Sequence, residues 1–341
     1  MIRSKHNQSI AIVAFVFLYI LIFILSFSFG RYPVDPITLI KILLSKIFPI
    51  EQTWSRQAEI VVINIRLPRL LAGSLVGAGL SLAGLTFQTI FHNPMVSPDV
   101  LGTTSGAGFG AALALLLGLP NILVNGCAFL FGLLSVGLVM IISSRVKHNQ
   151  ILGYVLGGIM ISSLFSALTS FVKLVADPND TLPNITYFLM GSLAGATFKD
   201  VAITFIPMIV SMIVIYTLSW KINILSLSEE EARSLGTNTR VIRTIVILAS
   251  SLMISSSVAI SGVIGWIGLV IPHIVRMILG CNTRKTIPSS IFLGASFLIL
   301  VDTISRMIST SEVPIGILTS IVGAPFFLYL ILRQGRREDA I

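Results

Sequence analysis

Residues 225–238 read L-S-L-S-E-E-E-A-R-S-L-G-T-N, and the chain on either side is almost wholly apolar. Glu229, Glu230 and Glu231 stand in a row here, well inside the chain, and Arg233 follows. The pattern predicts a short helix over about 228–236. Ser228 is placed to cap the first free amides, and Glu231 lies three residues on, the spacing of a capping box. Carboxylates in the first turn suit the positive end of the helix dipole. Gly236 supplies a left-handed stop. A further helix then starts from Thr237 or Asn238, with Arg240 and Arg243 in its first turns. The fold therefore turns on what the flanking apolar runs are.

The 341 residues are 55% hydrophobic and 11% charged, with a mean hydropathy of +0.95. A soluble globular chain carries about 25% charged residues. The apolar runs recur at roughly 20 residues, the length that crosses a bilayer core. The composition defines an all-α polytopic membrane protein, a single transmembrane domain over residues 1–341 embedded in the lipid bilayer. The net charge of +9 then reads as topology, and no aromatic-rich basic patch points to nucleic acid. Cys127 falls in an apolar run and Cys281 in a polar loop, with no C-x-x-C and no disulfide framework. Arg3 and Lys5 precede an apolar run from Ile10 to Phe29 that lacks a small-x-small cleavage site, so it is expected to stay as a first helix.

Ten spans are expected, at roughly 10–29, 60–91, 99–118, 122–144, 150–173, 200–220, 239–261, 264–280, 286–309 and 314–333. The second is long enough to tilt or to leave the core, and the eighth is short, Gly-rich and prone to break. With the N-terminus in the cytoplasm, fourteen of the 23 Lys and Arg residues fall inside and nine outside. That bias sets both termini and the 228–236 helix on the cytoplasmic side. The helix is then either a solvated loop element or a surface on which an outside protein moves the bundle.

Two outside segments exceed a simple turn, at 30–59 and 174–199. The second holds Asp177-Pro178-Asn179-Asp180 and a moderately apolar piece, Ile185 to Leu193. That piece is too short to span and reads as a short helix at the outer rim, either a gate or an ordinary surface helix. Ala83-Gly84 precedes Pro94, and Ser261-Gly262 precedes Pro272, at the same ten-residue distance from the glycine. The echo fits related halves of opposite orientation and is also short enough to be chance. Gly73-x-x-x-Gly77, Gly102-x-x-x-Gly106 and Gly106-x-x-x-Gly110 suit close helix contact.

No chemical motif is present: no G-x-x-x-x-G-K-[ST], so no P-loop ATP site, and no H-E-x-x-H or G-x-S-x-G. The four histidines, His6, His92, His148 and His273, are scattered and not at metal-ligand spacing. Neither a metal nor a cofactor is expected. Few ionisable residues lie within spans, which disfavours an ion-coupled secondary carrier working alone. Asp302 and Arg306 are four apart on the ninth span, and Arg66 and Arg69 open the second as R-L-P-R. They read either as an internal ion pair and interfacial anchors, or as an outward-facing cationic rim. In the rim, Arg66, Arg69 and Arg306 would receive a partner's carboxylates, for which arginine has the right fork.

Four long segments carry a resemblance. They are R-L-P-R-L-L-A-G-S-L-V-G-A-G-L-S-L-A-G-L-T-F-Q (66–88), N-P-M-V-S-P-D-V-L-G-T-T-S-G-A (93–107), G-V-I-G-W-I-G-L-V-I-P-H-I-V-R (262–276) and E-V-P-I-G-I-L-T-S-I-V-G-A-P-F-F (312–327). Together they resemble the FecCD-type permeases, membrane subunits of bacterial ABC importers for iron-siderophores, haem and cobalamin. The likeness runs in order from about residue 10 to the C-terminus. Val263, Trp266 and Val96-Ser97 depart from the usual proline, phenylalanine and Ala-Asp.

The resemblance implies ten helices per subunit in the bacterial cytoplasmic membrane, and a dimer with an identical or paralogous permease around a central path. It implies two cytoplasmic P-loop ATPases docked on Ser228, Glu229, Glu230, Glu231, Ala232, Arg233, Leu235 and Gly236. It implies an extracytoplasmic binding protein whose glutamates meet Arg66, Arg69 and Arg306. The implied cargo is a ferric chelate, a siderophore foremost, with haem or cobalamin as alternatives. The chain itself would catalyse nothing.

Overall fold

The computed structural model describes residues 5–338 apart from 31, 47, 147–149, 228 and 310. Arg3, Arg31, Lys147 and His148, which entered the charge and histidine readings, lie outside the described residues, as does Ser228 with its predicted cap. Among the described residues the chain is all-helical, with no strand.

The first helix, α1 (Lys5–Ser28), is followed by two short ones, α2 (Pro36–Leu44) and α3 (Arg56–Ile60). Asp35 caps α2 by accepting from the amides of Ile37 and Thr38. Leu39, Ile42 and Ala58 join Phe27, Val62, Leu70 and Ile299 in a small core of their own. Helices α2 and α3 therefore form a packed cap on one end of the bundle.

The centre is α4 (Leu67–Ile90), which continues from α3 through a π-helical segment, Val61–Arg66. The second span is thus one helical rod from Arg56 to Ile90, 35 residues long. Most of α4 is buried, and it packs on α1, α9, α12, α13 and α14. A helix apolar on every side belongs inside a bundle. Its glycines set how close its neighbours come. A Cβ on Gly77 would collide with the carbonyl of Gly294, and one on Gly84 with the carbonyl of Gly268. Gly106 and Gly110 of α5 meet the carbonyls of Phe131 and Cys127 in the same way. The small-residue motifs therefore pack this one chain.

Helices α5 (Thr103–Leu116), α6 (Asn121–Arg145) and α7 (Gln150–Val175) form a group beside α4, and α8 (Thr181–Met190) rests on α5. Next come α9 (Phe198–Thr217), α10 (Ser219–Leu225), α11 (Glu229–Ser234) and α12 (Thr239–Ser261). The chain closes with α13 (Ile267–Leu279), α14 (Thr283–Ile308) and α15 (Ile315–Glu338).

Among the described residues seven helices are long and apolar enough to cross a membrane, and three further apolar helices are shorter. Two of the ten expected spans are therefore cut down. The third becomes a 3-10 turn, Pro98–Leu101, then Gly102 at φ 71°, then α5. The eighth opens with irregular backbone from Gly262 (φ 66°) to Trp266 (φ 70°) before α13 begins. Irregular backbone is tolerated at membrane depth when protein covers it, and Leu101, Thr103, Ile264 and Ile267 are all buried. The two glycines of the echo have different settings: Gly84 sits inside α4, whereas Gly262 ends α12 with positive φ.

The rim helix forms as α8, at 181–190 rather than 185–193. It is clamped at its end. Ser192 N donates to Ser261 O at 2.8 Å, and Ile315 N donates to Gly191 O at 2.9 Å. Gly191 and Ser192 together thus join the end of α8 to the end of α12 and the start of α15.

Candidate functional site

Two polar constellations lie at opposite ends of the bundle. The first is α11. Its described part ends as the pattern requires: Leu235 N donates to Glu231 O, Thr237 N donates to Ala232 O, and Gly236 has φ 72°. The last two features close the helix in the Schellman manner. Asn238 then caps α12 by accepting from Val241 N at 3.2 Å. Ala232 is 1% exposed and seats α11 on the bundle, whereas Leu235 is 59% exposed. The side chains of Glu229, Glu230 and Arg233 lie outside the described set.

Beneath α11 is a cavity of about 230 Å³ lined by His92, Ile151, Leu225, Leu227, Ala232, Thr239 and Arg243. His92 has φ 52° and bonds through Nε2 to the Leu225 carbonyl at 2.6 Å. Thr283 donates to Asn223 Oδ1 from its amide and to the Ser219 carbonyl from its hydroxyl. The platform carrying α11 is thus bonded to the end of α4 and to the start of α14.

A second link lies close by. Gln88 donates to the carbonyls of Val96 and Gly268 at 3.2 and 3.1 Å, and its Oε1 accepts from Arg276. It ties α4 to α13 and to the 91–97 loop. The sequence reading quoted Gln88 within a motif and gave it no role.

The second constellation contains all three expected arginines. Arg69 forks onto Asp302 through Nε and Nη2, at 2.8 to 3.1 Å, and onto Glu312 through Nη1 and Nη2, at 3.0 and 2.8 Å. Arg306 pairs with Asp302 at 3.2 Å and donates to Thr303 Oγ1 at 3.1 Å. Arg66 donates to the carbonyls of Phe27 and Tyr32. The open rim is corrected in its geometry. Arg66, Arg69 and Arg306 are 3%, 5% and 7% exposed, turned inward by acceptors the chain itself supplies. The expected Asp302–Arg306 pair is present, but Asp302 is held chiefly by Arg69. Glu312, a quarter exposed, went unassigned in the sequence reading. Its only signal was a carboxylate just before a proline in a polar loop.

Among the described residues no group of three or more His, Cys, Asp or Glu could hold a metal ion, and both cysteines are free.

Stacked apolar helices with polar constellations at their two ends define a multi-pass membrane protein. Comparison with known families then names the group: residues 18–333 match the FecCD transport family. The chain belongs to that family, whose members are ABC transporter permease subunits and not enzymes themselves. It is 38% identical to the molybdate import system permease protein MolB of Haemophilus influenzae, over 92% of this chain and 94% of that one. It is 41% identical to the "Probable iron chelatin transport system permease protein" of Helicobacter pylori, over 81% and 83%. A solved structure described as an inward-facing conformation of a proposed metal-chelate type ABC transporter superposes with a TM-score of 0.84 at 35% identity. That match covers 94% of this chain and 98% of the other.

Proposed function

We propose that this chain is the membrane-spanning permease of an ABC importer in a bacterial cytoplasmic membrane, carrying an iron chelate, a ferric siderophore foremost. The observation that carries the reading is α11. It is a six-residue helix at the end of the bundle with Leu235 exposed, and the platform beneath it is hydrogen-bonded to α4 and α14. Such a helix suits a lever. In this reading two P-loop ATPases dock on Ser228, Glu229, Glu230, Glu231, Ala232, Arg233, Leu235 and Gly236. ATP binding draws them together, and α11 passes the movement inward through His92 and Thr283. The path between two permease copies then opens alternately to either side. A ligand acts on such an equilibrium only through its differential affinity for the two states.

At the other end an extracytoplasmic binding protein delivers cargo. Arg66, Arg69 and Arg306 act in its docking by exchange: a carboxylate of the partner displaces Glu312, the exposed member of the cluster. Relatives that import an iron chelate and vitamin B12 support the cargo class. A second reading, import of molybdate, is favoured by the 92% coverage of this chain in the match to MolB.

The test is uptake of labelled ferric siderophores, haem, cobalamin and molybdate in cells with and without this chain. Loss of one ferric siderophore alone supports the reading. Loss of molybdate alone replaces its cargo, and unchanged uptake of all four rejects both readings.

A further inference from the structure

One face of α7 is polar along half its length. Ser162, Ser166, Thr169 and Lys173 recur at steps of four and three residues, so they share a helix face. Ser162 and Lys173 stand about 16 Å apart along the axis. Polar groups inside a membrane span face protein or water rather than lipid. Here Ser166, Thr169 and Lys173 border a cleft of about 320 Å³, completed by Asp99, Thr104, Ser105, Gly108, Ser170, Leu189 and Val263.

The cleft's two charges are not equivalent. Asp99 accepts from Thr104 N at 3.1 Å. Its carboxylate is turned onto the first turn of α5, where the helix end offsets about half a unit of its charge. Lys173 makes no ion pair among the described residues. Thr169 and Ser170 give their hydroxyl protons to the carbonyls of Phe165 and Ser166. The Ser105 and Ser166 hydroxyls have no partner among the described residues. The groups free to donate into the cleft are therefore an ammonium and hydroxyls.

We propose that the cleft bounded by Asp99, Ser105, Ser166, Thr169, Ser170 and Lys173 is an anion-favouring section of the transport path. Its cargo carries net negative charge and oxygen acceptors on its surface. This rests on the permease reading and narrows the cargo to anionic metal chelates or oxyanions, against neutral or cationic ones.

The test uses the intact transporter in membranes, with Cys127→Ser and Cys281→Ser and a single Ser170→Cys. Methanethiosulfonate reagents bearing a sulfonate or a trimethylammonium group are compared. The expected result is faster modification by the sulfonate reagent, by roughly fivefold for unit charges within a few ångströms of one another. Lys173→Met should abolish the preference and Lys173→Glu reverse it. Leu164→Cys, two residues from Ser166 and so on the opposite face of α7, should react with neither. Faster reaction with the cationic reagent overturns the proposal. So does reaction only with a lipid-soluble maleimide, or a disulfide between two copies with no reagent access. A sulfonate preference in a chain whose loss leaves all uptake unchanged would reject the permease reading and keep the cleft. Uptake without the preference would reject the cleft alone.

Discussion

Arg69 and Asp302, 233 positions apart in sequence, are joined by three hydrogen bonds that lock α4 to α14. Both are nearly excluded from solvent, at 5% and 1%. Removing one partner of such a pair leaves the other charge buried, which costs about 3–5 kcal/mol. Asp302→Asn should therefore lower the melting temperature of the purified protein sharply. Arg69→Lys keeps the charge but loses the fork, and should fall between. Arg69→Met with Asp302→Leu should not recover the loss, because Arg306 then keeps a buried charge without its carboxylate. Equal melting of the wild type and all three variants would show that the pair contributes nothing.

Glu312 decides what the cluster does. If a partner's carboxylate takes its place on Arg69, Glu312→Gln should strengthen association with the binding protein, most at low salt, where charge steering is least screened. Surface plasmon resonance at two salt concentrations reads this out. Unaltered affinity would leave the arginines a purely internal role. Charge reversal at Arg306 is a poorer test, because it would bury a carboxylate beside Asp302.

Burial separates two residues of α11. Leu235→Asp should abolish copurification of the ATPase and leave melting unchanged, because its side chain is exposed. Ala232→Glu should disturb both, because Ala232 is the residue that seats the helix. Equal retention of the ATPase by both variants would count against a coupling role.

Two glycines test the packing. Gly84→Ala pushes a methyl group into the Gly268 carbonyl, and overpacking of this kind costs about 1–3 kcal/mol. Gly126→Ala, inside α6 with nothing within 4 Å of the added carbon, should be neutral or stabilising by up to about 1 kcal/mol. Thermal melting in detergent distinguishes them.

The positions of most helices were legible because a bilayer demands long apolar runs, and Leu225–Asn238 interrupts that rule visibly. The short helix and its Gly236 stop followed from local pattern alone. The interruptions at Gly102 and Trp266 were not legible in full, because broken backbone at membrane depth is licensed by neighbours distant in sequence. The same reason hid the inward turn of the arginines. Arg69 looks like a surface anchor until Asp302 and Glu312 arrive from the other end of the chain. Gln88 and Thr283 gave no signal, since their bonds run to backbone carbonyls and to the side chains of Arg276 and Asn223, most of them far away in sequence.

The most direct test of the central claim is cargo accumulation in cells carrying the wild-type chain or Leu235→Asp, with ATP or the proton gradient depleted separately. The account predicts accumulation that stops when ATP is removed, survives collapse of the gradient, and is lost in Leu235→Asp together with the ATPase. Accumulation that follows the proton gradient and persists in Leu235→Asp would contradict it, and would make the chain a carrier working alone.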